Sequence, residues 1–364
     1  VKRTLLTNLL VFAALTAVIE AGGQLAYRFT HGAWLHERAG EYLQAAQDAD
    51  AVFERHPYLV ARPRANLRLG RDGLVISTTP RHTRVTAAAP PRAGAITVAA
   101  IGGSTTFGTR VTDADTWPWQ LQAALGDRYA VINYGVPGYT TAENIVQMSL
   151  LVPESGARVA IFYEGWNDIR NYHWPGLSPD YYAHGMTQFD TLLPARPDRA
   201  SLLERAARYS FVLRLVGYAA GVPVGAIEKP TSGEPDPEVD RLYARNLRTL
   251  KALSSRFGMT ALFVPQVLND EALARAGTRA GWTPYVTSAA LPTLMRGFNG
   301  LMANVCGQND PSCVFVDEPL RSAWNNDDFV DEGHLSRSGG AKLAAILARR
   351  IQSLGLAPAT VDSN

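Results

Sequence analysis

One serine, one glycine, one asparagine and one Asp-x-x-His pair are the residues whose types and order suit acyl transfer. Ser104 stands in Gly102-Gly103-Ser104-Thr105-Thr106-Phe107-Gly108. Glycines allow a sharp exit from a strand, which presents the hydroxyl where a nucleophile is needed. The segment is not a phosphate-binding loop, because no Gly-Lys-Ser/Thr ending follows. Gly138, in Gly135-Val136-Pro137-Gly138-Tyr139-Thr140-Thr141, lies just ahead of a helical pattern, so its N–H can face an anion. Asn167, in Glu164-Gly165-Trp166-Asn167-Asp168, carries an amide able to donate to a developing oxyanion. Asp331-Glu332-Gly333-His334 sets a carboxylate three residues before an imidazole. Such a carboxylate can orient the ring, and the ring can take a proton from a serine. Each segment alone also reads as an ordinary turn or helix start; their order together says more.

The elements that must position these residues follow from hydrophobic periodicity. Ile96 to Ile101 is a buried-strand run ending in glycines. Tyr129 to Tyr134, Arg158 to Tyr163, Met259 to Pro265 and Ser312 to Val316 read as four further strands. Helices are predicted over Thr116 to Leu125, Thr141 to Val152, Val239 to Phe257, Leu291 to Val305 and Ser336 to Leu354. Thr116 or Asp115 can cap the first of these, and Pro118 suits its first turn. Strands alternating with helices imply an α/β fold with a doubly wound, mostly parallel five-stranded sheet flanked by helices. Three of the four segments follow predicted strands and the fourth precedes the last helix. In such a sheet, ligands bind beyond the carboxyl ends of the strands, so all four can meet at one edge.

In this company the chain resembles the SGNH/GDSL hydrolase family, over roughly Ala95 to Leu354 apart from an interruption after Asn171. The resemblance implies an SGNH (flavodoxin-like) fold with Ser104 as nucleophile, His334 as base and Asp331 as its orienting carboxylate. It also implies an oxyanion hole of the Ser104 and Gly138 N–H groups and the Asn167 amide. The family's Gly-Asp-Ser-Leu is replaced here by a Gly-Gly-Ser-Thr form, which keeps the nucleophile but makes simple lipase behaviour less secure. No cofactor is implied.

The rest of the chain sets the context. Its 364 residues are 46% hydrophobic and carry 35 basic against 33 acidic side chains. Near-balanced charge without a polybasic block argues against a nucleic-acid partner. Lys2 and Arg3 precede an apolar run from Thr4 to Ile19, extendable past Glu20 through Ala21 to Tyr27. This is the layout of a signal anchor, with a cleaved signal as the alternative. The charge pattern predicts the N-terminus inside and the catalytic domain at the extracytoplasmic face of the membrane. Cys306 and Cys313 bracket a turn-rich stretch, and in an exported protein the pair reads as a short-loop disulfide. Two sulfurs without a nearby His pair fall short of a metal site.

The expected organisation is an anchor over 1–28, a lead-in over 29–94 and a catalytic domain over 95–358. The lead-in has a helical stretch from Thr30 to Phe53 and an extended part from Pro57 to Arg92, either wrapping the domain edge or acting as a spacer. A helical insertion at about 172–238 is too long for an ordinary connection. Trp166, His173 and Trp174 are candidate substrate-binding residues, and Tyr181 and Tyr182 add to the aromatics there, though a packed lid is the commoner role for most of them. The leading function is an O-acetyl esterase, or a similar acyl-ester hydrolase, acting on a cell-envelope or extracellular carbohydrate. An O-acyltransferase uses the same residues and needs membrane acyl-donor or polysaccharide-export proteins as partners. A noncatalytic glycan-binding protein of the same fold is the reading of another class, and a full Ser-His-Asp relay argues against it.

Overall fold

The computed structural model describes residues 2–31, 34–36, 51–71, 73–174, 176–181, 202–207, 209–220, 232–277, 283, 285–307 and 310–357. In chain order it begins with helix α1 (Lys2–His31), then the strands β1 (Phe53–His56), β2 (Val60–Pro63), β3 (Arg68–Arg71) and β4 (Leu74–Ser77). There follow β5 (Ile96–Gly102), α2 (Ser104–Phe107), α3 (Trp117–Leu125), β6 (Tyr129–Asn133), α4 (Thr141–Leu150) and β7 (Val159–Tyr163). Next come α5 (Leu202–Ala207), α6 (Phe211–Ala219), α7 (Pro237–Arg256), β8 (Thr260–Val264) and α8 (Asp270–Ala276). The chain closes with α9 (Leu291–Cys306), β9 (Cys313–Phe315), α10 (Glu318–Arg321) and α11 (Arg337–Ser353).

Five strands form one sheet in the order β6-β5-β7-β8-β9, and every pairing is parallel. This is the doubly wound sheet that the alternation predicts. Successive residues of its strands point to opposite faces, and both faces are buried. Ala99, Ile101, Ala160, Phe162, Ala261 and Phe263 join one core with Met148, Leu242, Leu247 and Phe298. Val98, Ala100, Val159, Ile161, Leu262 and Val264 join the other with Trp117, Leu121, Leu343 and Leu347. Thus α4, α7 and α9 cover one face and α3 and α11 the other. Such two-sided burial is why these strands read as continuous apolar runs.

Caps set where the helices begin. Thr116 accepts from the Trp119 N–H ahead of α3, and Asp236 from the Glu238 and Val239 N–H groups ahead of α7. Ser336 accepts from the Gly339 N–H at the start of α11.

The chain divides into two compact units. One comprises Val1–Ala51 with Phe189–Lys229; the other comprises Val52–Gln188 with Pro230–Asn364 and holds the whole sheet. Residues 53–77, in the stretch expected as lead-in, form two antiparallel hairpins, β1-β2 and β3-β4, that belong to the larger unit. Arg84 makes isolated bridges to Thr78 and to Asn133 at the end of β6, so this stretch runs along the domain edge. The helix expected over 30–53 falls mainly on residues 37–50, which lie outside the described residues. Within the expected helical insertion, the described residues form two short helices, α5 and α6. Cys306 and Cys313 are disulfide-bonded and join the end of α9 to the start of β9.

Candidate active site

The order β6-β5-β7 means that the chain reverses its winding between β5 and β7. A doubly wound sheet opens its ligand crevice at such a switch point. Ser104 follows β5 and Asn167 follows β7, so both stand at that crevice; Gly138 follows the neighbouring β6.

Ser104 is the first residue of α2, so its N–H lies among the four that have no acceptor within a helix. The turn into it needs glycine. Gly102 has φ +159, and a side chain on it would overlap Thr106 and the Tyr163 carbonyl. A Cβ on Gly103 would overlap the Asn167 amide nitrogen. Asn167 Nδ2 therefore lies directly against the residue preceding Ser104. It donates to the Tyr139 carbonyl at 2.7 Å. An amide nitrogen carries two hydrogens, and one is left for a ligand beside Ser104. Gly138 has φ +84, the left-handed region in which glycine is favoured.

His334 reaches the same point from the loop before α11. Its Nε2 is 2.8 Å from Ser104 Oγ. Its Nδ1 lies 2.9 and 2.8 Å from the two carboxylate oxygens of Asp331. Asp331 Oδ1 also accepts from the Gly333 and His334 N–H groups at 3.0 and 2.8 Å. Partial burial pushes this carboxyl up, but the hydrogen bond and charge of His334, with the two N–H donors, outweigh burial and hold it at about 2. The loop is pinned from behind: Gln266 Nε2 donates to the Gly333 carbonyl, and the Asn269 N–H donates to the Glu332 carbonyl. Serine, imidazole and carboxylate thus form one continuous hydrogen-bonded chain, which can pass a proton from Oγ to Nε2.

Several supporting residues escaped the sequence reading. The Asp168 carboxylate accepts from the Thr141 N–H and hydroxyl, tying the Asn167 loop to the start of α4. Glu143 accepts from the Thr140 N–H and hydroxyl in a capping box, and Glu164 accepts from Asn144. The Thr140-x-x-Glu143 spacing was the legible signal here. All three carboxyls are buried, and burial raises each. Glu164 lies well above the ordinary range, with repulsion from Asp168 and Glu143 added. Asp168 is pushed up to about 7, and Glu143 is raised too. Arg84 is a further such residue. It is fully buried and donates to the carbonyls of Phe107, Gly108 and Val111 and to Asp113. It therefore holds the exit of the Ser104 turn from the hairpin side. Arg110, with φ +69, sets an exposed guanidinium 3.5 Å from Asp331 Oδ2.

The aromatic candidates take different places. Trp166 is buried, stands edge-on to His334 with ring centroids 6.5 Å apart, and fills the space beside Gly333. It packs beneath the imidazole loop. His173 is engaged with the Glu234 carbonyl and Asp236, and Trp174 with Tyr285. Among the described contacts, neither reaches the Ser104 group. Tyr181 is buried in the core, and Tyr182 lies outside the described residues.

The model of the GDSL-like lipase/acylhydrolase family matches residues 100–342. No curated protein matches the chain in sequence. Among solved structures, a GDSL-like lipase from Bacteroides thetaiotaomicron is 12% identical, with TM-score 0.42, over 73% of this chain and 92% of its own. The carbohydrate acetylesterase Est24 from Sinorhizobium meliloti is 14% identical, with TM-score 0.41, over 71% and 99%. A lipase/acylhydrolase from Enterococcus faecalis is 14% identical, with TM-score 0.39, over 73% and 100%.

Proposed function

This chain belongs to the GDSL-like lipase/acylhydrolase family, and from that premise we propose that it is a serine-dependent hydrolase of acyl esters. The hydrogen-bonded chain Ser104–His334–Asp331 carries the reading. Ser104 Oγ attacks the ester carbonyl carbon while His334 Nε2 takes its proton. Asp331 holds the ring and stabilises the imidazolium. The tetrahedral oxyanion accepts from the Ser104 and Gly138 N–H groups and the Asn167 amide. Collapse breaks the ester bond, and the leaving alcohol recovers the proton from His334. Water then attacks the acyl-serine with His334 again as base, releasing the acid.

The substrate we assign is an O-acetyl ester of a cell-envelope or extracellular carbohydrate. Two features support an extracytoplasmic setting. One is the apolar helix from Arg3 to Phe29, long enough to cross a bilayer. The other is the Cys306–Cys313 disulfide, a bond of oxidising compartments.

The purified protein should release acetate from a small activated acetyl ester, and Ser104→Ala should lose at least three orders of magnitude in turnover. Unchanged turnover in Ser104→Ala rejects the assignment. Acetylated and non-acetylated oligosaccharides offered together, followed by product mass, identify the acceptor. Free acetate means water; an acetyl gained by the second sugar means transfer.

A further inference from the structure

The apolar N-terminal helix has one ionisable residue inside its hydrophobic stretch, Glu20. A carboxylate in such a helix is expensive unless it is partnered. Its partners lie in the insertion. Glu20 accepts from the Ser210 hydroxyl at 2.7 Å and from the Phe211 and Val212 N–H groups at 2.9 Å each. Gln24, one turn on, donates to Glu20 at 2.7 Å and to the Tyr209 carbonyl at 2.9 Å. Glu20 therefore caps α6 from a different helix, using N–H groups that no residue within α6 can satisfy.

Packing follows the same line. Gly23 is buried, and a Cβ there would overlap the Phe211 ring. The Arg214 guanidinium lies 5.5 Å from the centre of the Tyr27 ring. The contacts advance along both helices together, from Gly23 with Phe211 to Tyr27 with Arg214.

The surface left over is apolar. Leu202 on α5, Tyr209 between the helices, and Leu213, Leu215 and Val216 on α6 are all exposed. So are Leu5, Leu9, Phe12, Val18, Leu25 and Phe29 along α1. The insertion's exposed apolar residues thus continue the surface that the spanning helix presents. Counting about 20 residues for a span, from Thr4 after Lys2 and Arg3, the apolar stretch ends near Gly23. Glu20 is one turn short of that end. The α5–α6 pair is fastened at this level, where headgroups meet acyl chains. Its sequence, Leu202-Leu203-Glu204-Arg205-Ala206-Ala207-Arg208-Tyr209 and on to Arg214, mixes leucines and a tyrosine with arginines. That suits the interface, where apolar bodies bury and cationic tips reach phosphate.

We propose that α5 and α6 form an interfacial hairpin whose exposed apolar face is occupied by membrane lipid, and that Glu20 fastens it to the spanning helix. This rests on reading α1 as a membrane anchor. The insertion is then a collar of the anchor, and its exposed apolar residues carry on the lipid-facing surface of α1.

The test uses the full chain in lipid nanodiscs. A thiol at Leu215→Cys is labelled with a polarity-sensitive fluorophore, the native cysteines being bonded to each other. Tyr58→Cys, at an exposed tyrosine of the hairpin region, is the water-facing control. Lipids carrying a nitroxide should quench the label at 215 several-fold more than at 58, with emission shifted to the blue. Glu20→Ala should lose most of that difference, while Glu20→Gln, which keeps one acceptor, should retain part of it. A label at 215 that stays in water overturns the proposal. One that is shielded but unquenched by nitroxide lipid overturns it in favour of a protein occupant. An unchanged signal in Glu20→Ala overturns the fastening. Flotation of the unlabelled chain with vesicles reads the anchor separately: a chain that floats with position 215 in water keeps its anchor and loses the hairpin claim.

Discussion

At the scale of single residues, the legible groups are those proposed to touch the reacting atoms. Ser104, Asn167 and the Asp331/His334 pair lie in short segments whose residue types announce chemistry. Asp168 and Arg84 were not legible, because their work is done through partners distant in sequence. The amide of Asn167 is oriented by the Tyr139 carbonyl, so that nitrogen rather than oxygen lies against Gly103. Asn167→Ala should therefore lower kcat roughly 10²- to 10³-fold with KM little changed, as loss of one oxyanion donor does; steady-state kinetics on an acetyl ester reads this. Asp168 makes a pH prediction. Burial first of all lifts it from the usual 3.8 to about 7 in the folded chain. The folded state then holds the proton more tightly than the unfolded one. Its stabilising share is whole below about pH 4 and falls away as pH climbs towards 7, because the unfolded chain ionises first. Glu143 and Glu164 are raised also, with the same sign. Asp168→Asn keeps an acceptor for Thr141 and removes that titration. Its melting temperature should thus improve relative to the unsubstituted chain between pH 5 and pH 8. Parallel pH curves for the two proteins would contradict the assignment.

At the scale of elements, the five sheet strands were readable because burial on both faces makes each a continuous apolar run. The hairpins at 53–77 were read only in part: 57–92 was expected to be extended, but pairing could not be read from four-residue strands such as Phe-Glu-Arg-His and Arg-Leu-Gly-Arg, which mix charged and apolar residues without a period. That stretch still shapes the site. The Tyr139 hydroxyl donates to the Ala61 carbonyl, between Gly138 and the β1-β2 hairpin. Arg84 spans from the hairpin region to the loop after Ser104. Removing one partner of a buried ion pair typically costs about 3–5 kcal/mol, and Arg84 also satisfies four carbonyls, those of Val75, Phe107, Gly108 and Val111. Arg84→Met should lower unfolding stability by about that much in a denaturant titration and reduce turnover through a loosened Ser104 turn. A variant of full stability would show that Asp113 and the four carbonyls find other partners.

At the scale of the whole molecule, order along the chain carried more than any segment did. Ser104, Gly138, Asn167 and Asp331/His334 are spread over more than 200 residues of the chain, and the winding of the sheet is what gathers them. The insertion resisted reading because its partner, Glu20, lies some 190 residues away in an apolar stretch whose composition speaks only of membrane. The disulfide closes a short loop between α9 and β9. Chain-entropy reasoning for a loop of that size puts its contribution at about 2–3 kcal/mol. A Cys306→Ser/Cys313→Ser double variant should melt several degrees lower, while the unsubstituted chain under reducing conditions should approach it. The central claim is that one serine in the folded protein is activated, and covalent trapping tests it most directly. The intact protein, treated with an alkyl fluorophosphonate and weighed, should gain one adduct, mapped by peptide mass to Ser104 and lost in His334→Ala. A protein that hydrolyses acetyl esters yet carries no adduct, or carries it on another residue, would contradict the account.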